Sequence, residues 1–288
     1  NMDYRQSAEY GRYMQSLGWE TEKLSTCRAY VKHLGPVSLI KIQRPDSVDL
    51  EEARDLHNKL HSIHTRIDLL NDNHKFKCQN SNDKSNSNVK IQMTNFRQSS
   101  PHLPSLQHFI DLTKTEADLL KDMNYERRRS LEKSLKNNLS IEVVQKDYDE
   151  PLKQFTEFWQ KEAKRRGDWF YNTREVPAIF KAFSPNAYIF NINSKSSALF
   201  ISYQDTFIYL FAATTDEGRQ LYASTYLLWQ AILFAKKMGF AKMDMGSLYD
   251  PRLPNQWQSW KGFSHFKRGF GGYEVEYPTY CLKVGLPI

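Results

Sequence analysis

The order of predicted strands and helices in the second half of the chain is the feature that most constrains the fold. Short apolar runs predict strands, and apolar residues recurring every three to four positions predict helices. In chain order, the predicted elements are a strand at 109–112, two helical stretches reaching about 137, a strand at 141–144, a helix from 151, three strands at 187–192, 198–203 and 206–214, a helix at 221–238 and a strand at 241–245. Helices inserted between strands in this way pack on the faces of a mixed sheet, which predicts an α/β protein.

The first half of the chain repeats this alternation and ends in a polar segment. A helix, a second helix capped by Asp49, and a strand are predicted before residue 71. Residues 71–100 are rich in Asn, Ser and Lys, predict a mobile loop, and are followed by two prolines. We therefore expect two domains, residues 1–104 including this loop and residues 105–288.

Charge and hydropathy limit the classes of partner and location. Lys plus Arg total 40 against 33 Asp plus Glu, and a net charge of +7 favours an anionic partner such as RNA, phosphate or an anionic lipid surface. No stretch reaches the roughly 18 apolar residues of a membrane span, and the first residues lack the apolar region of a signal peptide. Cys27, Cys78 and Cys281 lie far apart and predict neither disulfides nor a zinc knuckle. We expect a cytoplasmic protein with reduced thiols.

Lys267 is the main candidate for a catalytic residue. It lies between Phe266 and a glycine-rich turn at 268–272, where glycines let the backbone approach a ligand. A lysine held among aromatic rings can supply a fixed cation to an oxyanion or a phosphate, and the alternative is a surface lysine whose stem covers apolar residues. The aromatic residues around it are spaced by three and predict a face packed into the core. They are Trp257, Trp260, Phe263 and Phe266.

Three further groups of polar residues are candidates for a site. Asp244 ends a predicted strand, where a carboxylate either acts on a ligand or caps the loop. Arg66 and Asp68 share one face of a predicted strand and form a salt bridge or contact a substrate. Three histidines have a spacing compatible with metal binding, but neither a nearby cysteine nor an HExxH motif accompanies them, so no metal is predicted. They are His57, His61 and His64.

Two basic runs are predicted on helices. They project cations that either follow the phosphates of a nucleic acid or form an ordinary solvated face. The first run is Arg127, Arg128, Arg129, Lys133 and Lys136, and the second is Lys161, Lys164, Arg165 and Arg166.

Motifs for common cofactors are missing from the sequence. Coenzyme A-dependent acetyltransferases place a glycine-rich turn before the helix that grips pyrophosphate, but here Asp216 and Glu217 occupy that helix start and would repel phosphate. The sequence also has no GxGxxG, P-loop or GxSxG motif. We therefore predict no cofactor, and an acyl donor other than coenzyme A if the chain transfers acyl groups.

Several short motifs, in order along nearly the whole chain, resemble the FemABX family of peptidoglycan bridge-forming aminoacyltransferases. The resemblance depends on their order and spacing together rather than on any one of them. The motifs are Gln6-Ser7 with Ser16-Leu17-Gly18-Trp19, Arg66-Ile67-Asp68, Asp111-Leu112 with Arg127-Arg128-Arg129-Ser130-Leu131, Leu227-Leu228-Trp229 with Ala235-Lys236 and Gly239, Asp244-Met245-Gly246, and Phe266-Lys267-Arg268-Gly269-Phe270-Gly271.

The resemblance implies two tandem GNAT-like acyltransferase domains and transfer of an amino acid from aminoacyl-tRNA to the stem-peptide amine of a peptidoglycan precursor. In the family the lysine matching Lys267 stabilises charge on the attacked ester, and the carboxylate matching Asp68 lies near the acceptor peptide. The substrate-binding residues implied here are Arg66, Asp68, Tyr171, Tyr209, Phe211 and Asp244. The residues expected to meet tRNA are Arg127, Arg128, Arg129 and Arg268.

Two departures from the family pattern concern the acceptor. Tyr171 and Glu175 stand where members that hold a nucleotide-sugar precursor have an arginine and a tyrosine. A YxY pattern becomes Tyr209-Leu210-Phe211, which loses the second hydroxyl. The acceptor is therefore either nucleotide-linked or lipid-linked, and the second case brings transient contact with an anionic membrane surface. The alternatives to this hypothesis are a coenzyme A-dependent GNAT N-acyltransferase and a non-catalytic module that binds RNA or anionic lipid.

Overall fold

The computed structural model describes residues 2–71, 96–146, 148–165 and 172–285. Contacts between Cα atoms divide the chain into two units, each built on its own sheet. Unit 1 comprises Asn1–Ser105 and Glu276–Ile288, and unit 2 comprises Leu106–Val275.

The sheet of unit 1 is mixed, with strand order β1-β2-β3-β4-β13-β5. Its only parallel pair in the described residues is β3 with β4. The strands are β1 (Glu20–Lys23), β2 (Arg28–Leu34), β3 (Val37–Gln43), β4 (Ser62–Asp68), β5 (Arg97–Ser99) and β13 (Cys281–Gly285). Its helices are a 3₁₀ turn at Tyr4–Gln6, α1 (Ala8–Ser16) and α2 (Leu50–Lys59).

Alternation along the strands gives unit 1 an apolar face and a polar face. Ile40 and Ile42 of β3 and Ile67 of β4 are buried in a core that α2 covers with Leu50 and Ala53. The predicted cap of this helix is confirmed, because the Asp49 side chain accepts hydrogen bonds from the first backbone N–H groups. The helix ends at Lys59, so of the three histidines only His57 lies on it, and His64 lies on β4.

The C-terminal strand belongs to the first sheet. The prediction grouped residues 105–288 together, whereas β13 pairs antiparallel with both β4 and β5. Cys281 and Leu282 are fully buried there, and Leu282 joins the core under α2. The pairing joins segments far apart in the chain, and local periodicity carries no signal of it. Most of the predicted loop, residues 72–95, lies outside the described residues.

The sheet of unit 2 is also mixed, in the order β12-β6-β11-β10-β9-β8-β7. Its strands are β6 (Leu106–Asp111), β7 (Glu142–Val144), β8 (Ala187–Ile192), β9 (Ser196–Tyr203), β10 (Thr206–Thr214), β11 (Lys242–Ser247) and β12 (Tyr273–Glu276). The three strands predicted as a meander are confirmed as β8, β9 and β10, which pair antiparallel in sequence. The predicted fold class, α/β with two mixed sheets, is confirmed.

The described helices of unit 2 pack on both faces of its sheet. They are α3 (Glu116–Asp122), α4 (Tyr125–Leu135), α5 (Asp149–Arg165), α6 (Glu175–Phe183), α7 (Asp216–Gln220), α8 (Ala223–Lys237) and α9 (Lys261–Arg268), with a 3₁₀ turn at Gln258–Trp260. Helices α3, α4 and α8 share one core with the strands, in which Leu131, Phe200 and Leu228 are buried. Helix α3 begins after Thr115, whose side chain accepts from the Asp118 N–H, rather than after Thr113 as the sequence spacing suggests.

Two further predictions concern membrane-spanning helices and the state of the cysteine thiols. No helix in the described ranges is both long enough and apolar enough to cross a membrane. Cys27 and Cys281 carry free, buried thiols, and burial raises the pKa of Cys27 to about 12 and that of Cys281 to about 11. These thiols are therefore protonated and unreactive at neutral pH. Cys78 lies outside the described residues.

Candidate active site

Two central strands of unit 2 separate in the middle of the sheet. Strands β10 and β11 are parallel, and their register runs from Thr206 opposite Lys242 to Ile208 opposite Asp244. Both strands continue beyond this point, β10 to Thr214 and β11 to Ser247, without further pairing to each other. Each strand also has an irregular register with its outer neighbour here. Irregularities of this kind bend a strand and redirect its side chains.

Gly246 lies at this divergence, and its lack of a side chain leaves room for the Lys267 amine near the Tyr209 carbonyl group. Its φ is +82°, a conformation that favours glycine. A Cβ atom at this position would lie 3.2 Å from Lys267 Nζ and 3.4 Å from the Tyr209 carbonyl oxygen. The glycine therefore provides the space in which the lysine amine approaches the backbone of both central strands.

Lys267 extends from the last turn of α9 towards this point. Its Nζ donates a hydrogen bond to the Ser247 carbonyl oxygen at 2.9 Å. The same nitrogen lies 4.8 Å from the centroid of the Phe263 ring and 5.8 Å from that of the Tyr209 ring. Burial lowers the pKa of Lys267 to about 8, and the negative charge of Asp244 opposes this shift. At neutral pH the group is still mostly an ammonium, held in a poorly hydrated place.

Asp244 is the carboxylate whose negative charge acts on the Lys267 ammonium. It is buried, and its Oδ1 accepts from the Gly246 N–H at 2.7 Å. Its Oδ2 accepts from Nε2 of Gln107, a buried residue on the neighbouring strand β6. Asp244 therefore caps the turn at Gly246, one of the two roles predicted for it, and its charge also acts on the Lys267 ammonium. Sequence analysis missed Gln107, because only antiparallel pairing of β6 with β11 brings it here.

Tyr209 and Phe211 are two residues apart but have different ring partners. Tyr209 stacks on Phe200 at a centroid distance of 5.3 Å. Phe211 packs edge-on against Trp159 of α5, also at 5.3 Å. The register shift of β10 between these two residues breaks the alternation that would otherwise put them on one face. Only Tyr209 therefore lies beside the Lys267 amine.

The four arginines predicted to meet RNA have different environments. Arg127 is partly buried, with its guanidinium over the Phe266 ring at 4.2 Å, a hydrogen bond to Thr225 Oγ1, and a pKa lowered by burial. Arg128 donates to backbone carbonyls of Lys121 and Met123. Arg268 is exposed and paired with Glu274 at 2.6 Å, and Arg129 is exposed. Arg127 and Arg128 thus hold α4 in place through hydrogen bonds within unit 2, although the buried Nε of Arg127 has no partner in the described part of the chain.

Arg66 and Asp68 lie on β4 in unit 1. Asp68 is buried, and its Oδ1 accepts from the backbone N–H groups of His102 at 2.9 Å and Leu103 at 3.1 Å. The pairing register puts Arg66 between Lys41 of β3 and Lys283 of β13. The buried Nε of Arg66 has no hydrogen-bond partner within the described part of the chain. No salt bridge between Arg66 and Asp68 forms in that part of the chain. Tyr171 lies outside the described residues.

Helix α7 occupies the place where a pyrophosphate-binding loop was considered. Thr215 caps it by accepting from the Gly218 N–H at 3.0 Å. The carboxylate of Asp216 is paired with Arg219, and that of Glu217 is paired with Lys195 at 2.7 Å. A Cβ on Gly218 would lie 2.2 Å from the Lys195 carbonyl oxygen, so this glycine serves close packing rather than ligand access. The first turn of α7 is therefore occupied by two paired carboxylates and by the capping hydroxyl of Thr215.

Comparisons with known proteins agree with this geometry. A family model described as the FemAB family matches residues 191–279, which include β9, β10, β11 and α9. No curated protein matches the chain. A crystal structure of FemX has a TM-score of 0.74 at 14% identity, over 99% of this chain and 92% of that one.

Two further solved structures share the fold as well. The C-terminal domain of a lysylphosphatidylglycerol synthetase from Agrobacterium fabrum has a TM-score of 0.60 at 13% identity, over 97% of this chain and 88% of that one. L-PGS from Bacillus licheniformis has a TM-score of 0.56 at 10% identity, over 94% and 85%. The resemblance predicted from sequence motifs is confirmed: residues 191–279 match the FemAB family, and the chain shares the fold of FemX.

Proposed function

We propose that the chain is an aminoacyltransferase that moves an amino acid from aminoacyl-tRNA to the stem-peptide amine of a peptidoglycan precursor. The observation that carries the proposal is the desolvated ammonium of Lys267 at the divergence of two central strands. An aminoacyl ester is already a reactive acyl group, so the protein mainly aligns the two substrates and stabilises developing charge. The match of residues 191–279 to the FemAB family supports this reaction class.

In the proposed reaction the acceptor amine nitrogen attacks the ester carbonyl carbon. A C–N bond forms, the C–O bond to the terminal ribose breaks, and the ribose hydroxyl leaves with a proton that the amine gives up. Negative charge collects on the carbonyl oxygen in between. The Lys267 ammonium stabilises that charge, and it is effective because surrounding rings and backbone exclude water. Asp244 and the Ser247 carbonyl position the lysine without taking part in bond changes.

For the acceptor, the proposal takes up the residues that the sequence motifs implicate. In this proposal Asp68 and Arg66 contact the acceptor peptide, and Tyr209 lies beside the Lys267 amine. Phe211 and Tyr171 complete the acceptor site in this proposal. Support for Arg66 comes from its buried Nε, which has no acceptor within the described ranges. The acceptor carries a nucleotide or a lipid, and a lipid-linked acceptor would bring this cytoplasmic enzyme to the inner face of the membrane.

For the donor, the proposal uses the exposed cations of unit 2. Arg129 and Arg268 contact tRNA phosphates, whereas Arg127 and Arg128 support the helix that presents Arg129. Coenzyme A is disfavoured as a donor because the start of α7 carries paired carboxylates. A cofactor is not required for the proposed chemistry, since the ester itself is the activated acyl group.

A transfer assay tests the proposal. The purified chain is incubated with a mixture of charged tRNAs and candidate nucleotide-linked or lipid-linked precursors, and the precursors are analysed by mass spectrometry. We expect one precursor to gain the mass of one or more amino acid residues, and uncharged tRNA to abolish the gain. Binding of RNA or anionic vesicles without any transfer would favour a non-catalytic module instead. Acylation from acetyl-coenzyme A would favour the GNAT alternative.

A further inference from the structure

Three aromatic rings form a stacked row that leads to Lys267. The rings of Trp257 and Trp260 have centroids 5.5 Å apart and an interplanar angle of 23°. The rings of Trp260 and Phe263 follow at 5.4 Å and 47°. The Lys267 amine lies 4.8 Å from the centroid of the last ring. We call Trp257, Trp260 and Phe263 the aromatic row.

The aromatic row is partly accessible to solvent. The sequence predicted that these residues pack into the core, but none of the three is buried, and Phe263 is 37% exposed. Phe266, the fourth residue of the predicted set, packs against the core of unit 2. Trp257 and Trp260 are partly exposed, and a stacked row of accessible aromatic rings is a surface that a ligand can cover.

Charge around the aromatic row favours an anionic ligand. Helix α9 carries four basic or titratable cationic side chains, of which His265 pairs with Glu126 and Arg268 with Glu274, whereas neither of its lysines forms a salt bridge among the described residues. Of these, Lys261 lies over the Tyr249 ring at 4.8 Å, and Lys267 faces the row itself. A neutral sugar would stack on the rings but would not need the cations. An apolar peptide would gain nothing from the cations either. A single-stranded nucleic acid needs both, because its bases stack on aromatic rings while its phosphates meet cations.

We propose that the aromatic row is a stacking platform for the unpaired 3′-terminal nucleotides of the RNA donor. This inference rests on the proposed function and adds the site that holds the donor end. Stacking of successive bases on Trp257 and Trp260 would bring the terminal ribose ester towards Lys267, where charge develops on its carbonyl oxygen. Base stacking on aromatic side chains tolerates different bases, so the platform would accept any donor with the same unpaired end.

The test measures binding of a short, 5′-labelled, single-stranded RNA that ends in CCA, by fluorescence anisotropy. We expect Trp257→Ala and Trp260→Ala each to weaken binding by roughly 10-fold or more, the scale of losing one stacked base. Trp257→Phe and Trp260→Phe retain a ring and should retain most of the affinity. Tyr273→Ala is the matched control, because Tyr273 is 45% exposed and stacks on Phe109 but has carboxylates around it.

A second measurement needs no variant and is independent of altered folding. Ultraviolet crosslinking of the unmodified protein to the same RNA, followed by peptide mass spectrometry, should place the crosslink within residues 255–268. Equal affinities of wild type and both alanine variants, or crosslinks only elsewhere, would overturn the platform. The platform would also be overturned if the protein bound a muropeptide sugar instead of RNA and both alanine variants lost that binding.

The outcome for the platform is separable from the outcome for the proposed function. In the transfer assay, the alanine variants should show a KM for charged tRNA raised roughly 10-fold and a kcat close to wild type, because the tryptophans do not touch the Lys267 amine. Active transfer with an unchanged KM contradicts only the platform. Ring-dependent RNA binding without any transfer contradicts only the proposed function.

Discussion

At the scale of single residues, the site depends on how the ammonium of Lys267 is held. A flexible surface lysine would be well hydrated and have an ordinary pKa, whereas here Gly246, Ser247 and Phe263 enclose the amine. The resulting pKa of about 8 leaves the group charged at neutral pH with little water around it. Such a cation is effective towards an oxyanion because little solvent must be reorganised when charge develops.

The pKa of Lys267 predicts how the rate depends on pH. Only the ammonium form stabilises the oxyanion, so transfer should fall as the pH rises through about 8, where Lys267 loses its proton. Single-turnover transfer from charged tRNA, measured across this range and corrected for spontaneous ester hydrolysis, reports the profile. Lys267→Arg is the control, since any activity that it retains should lack this alkaline decline. A wild-type rate that keeps rising well above this pH would contradict a cationic role.

At the scale of secondary-structure elements, the two central strands and helix α7 decide which donor fits. The register of β10 with β11 ends at Ile208 and Asp244, which opens the place where Lys267 points. A helix N-terminus attracts anions, but Asp216 and Glu217 occupy the first turn of α7. In the proposed function these elements hold the acyl-transfer site, while the start of α7 is occupied by carboxylates.

The two carboxylates at the start of α7 lead us to predict that coenzyme A does not bind. Isothermal titration of the protein with acetyl-coenzyme A should give no measurable heat at concentrations that saturate coenzyme A-dependent acetyltransferases. The double variant Asp216→Asn with Glu217→Gln removes the repulsion and is the informative comparison. Tight binding by the wild type, unchanged in the double variant, would contradict this interpretation of α7.

The sequence predicted the helices and strands better than it predicted how their side chains pack in the fold. Strands β8 to β10 are apolar runs separated by short polar turns, and Gly239, with φ of +85°, lies just beyond the end of α8. Arg127 and Arg129, by contrast, look alike in sequence, and only packing of α4 on Phe266 determines that Arg127 is partly buried. The exposure of Trp257 and Trp260 was unpredictable for the same reason, because a spacing of three fits both a core face and a surface row.

At the scale of the whole molecule, the chain is two sheet-based units whose sequences interleave at the C-terminus. Strand β13 returns to the first sheet and lies between β4 and β5. Asp68 ends β4 opposite Cys281, so the last strand supports the edge where the proposed acceptor residues lie. Sequence periodicity does not predict such long-range pairing, and a division of the chain at residue 104 alone leaves this strand out of unit 1.

This arrangement predicts that a change near the C-terminus destabilises unit 1. Leu282 is fully buried in the core of that unit, so Leu282→Ala should cost about 2–5 kcal/mol. Hydrogen exchange followed by mass spectrometry should show reduced protection in peptides from β3 and β4 and unchanged protection in β8 to β10. Lys283→Ala is the control, because this neighbouring side chain points to the other face of the strand and is only partly buried. Equal effects in both units would contradict the assignment of β13.

The most direct test of the central claim is the single-turnover rate of amide formation from charged tRNA at neutral pH in Lys267→Ala. We predict a rate at least about 10²-fold below that of the wild type, the scale of losing one oxyanion-stabilising group. Lys237→Ala, which removes an exposed lysine from the last turn of α8, should transfer at the wild-type rate. A Lys267→Ala protein that is folded and transfers as fast as the wild type would contradict the proposed role of this ammonium.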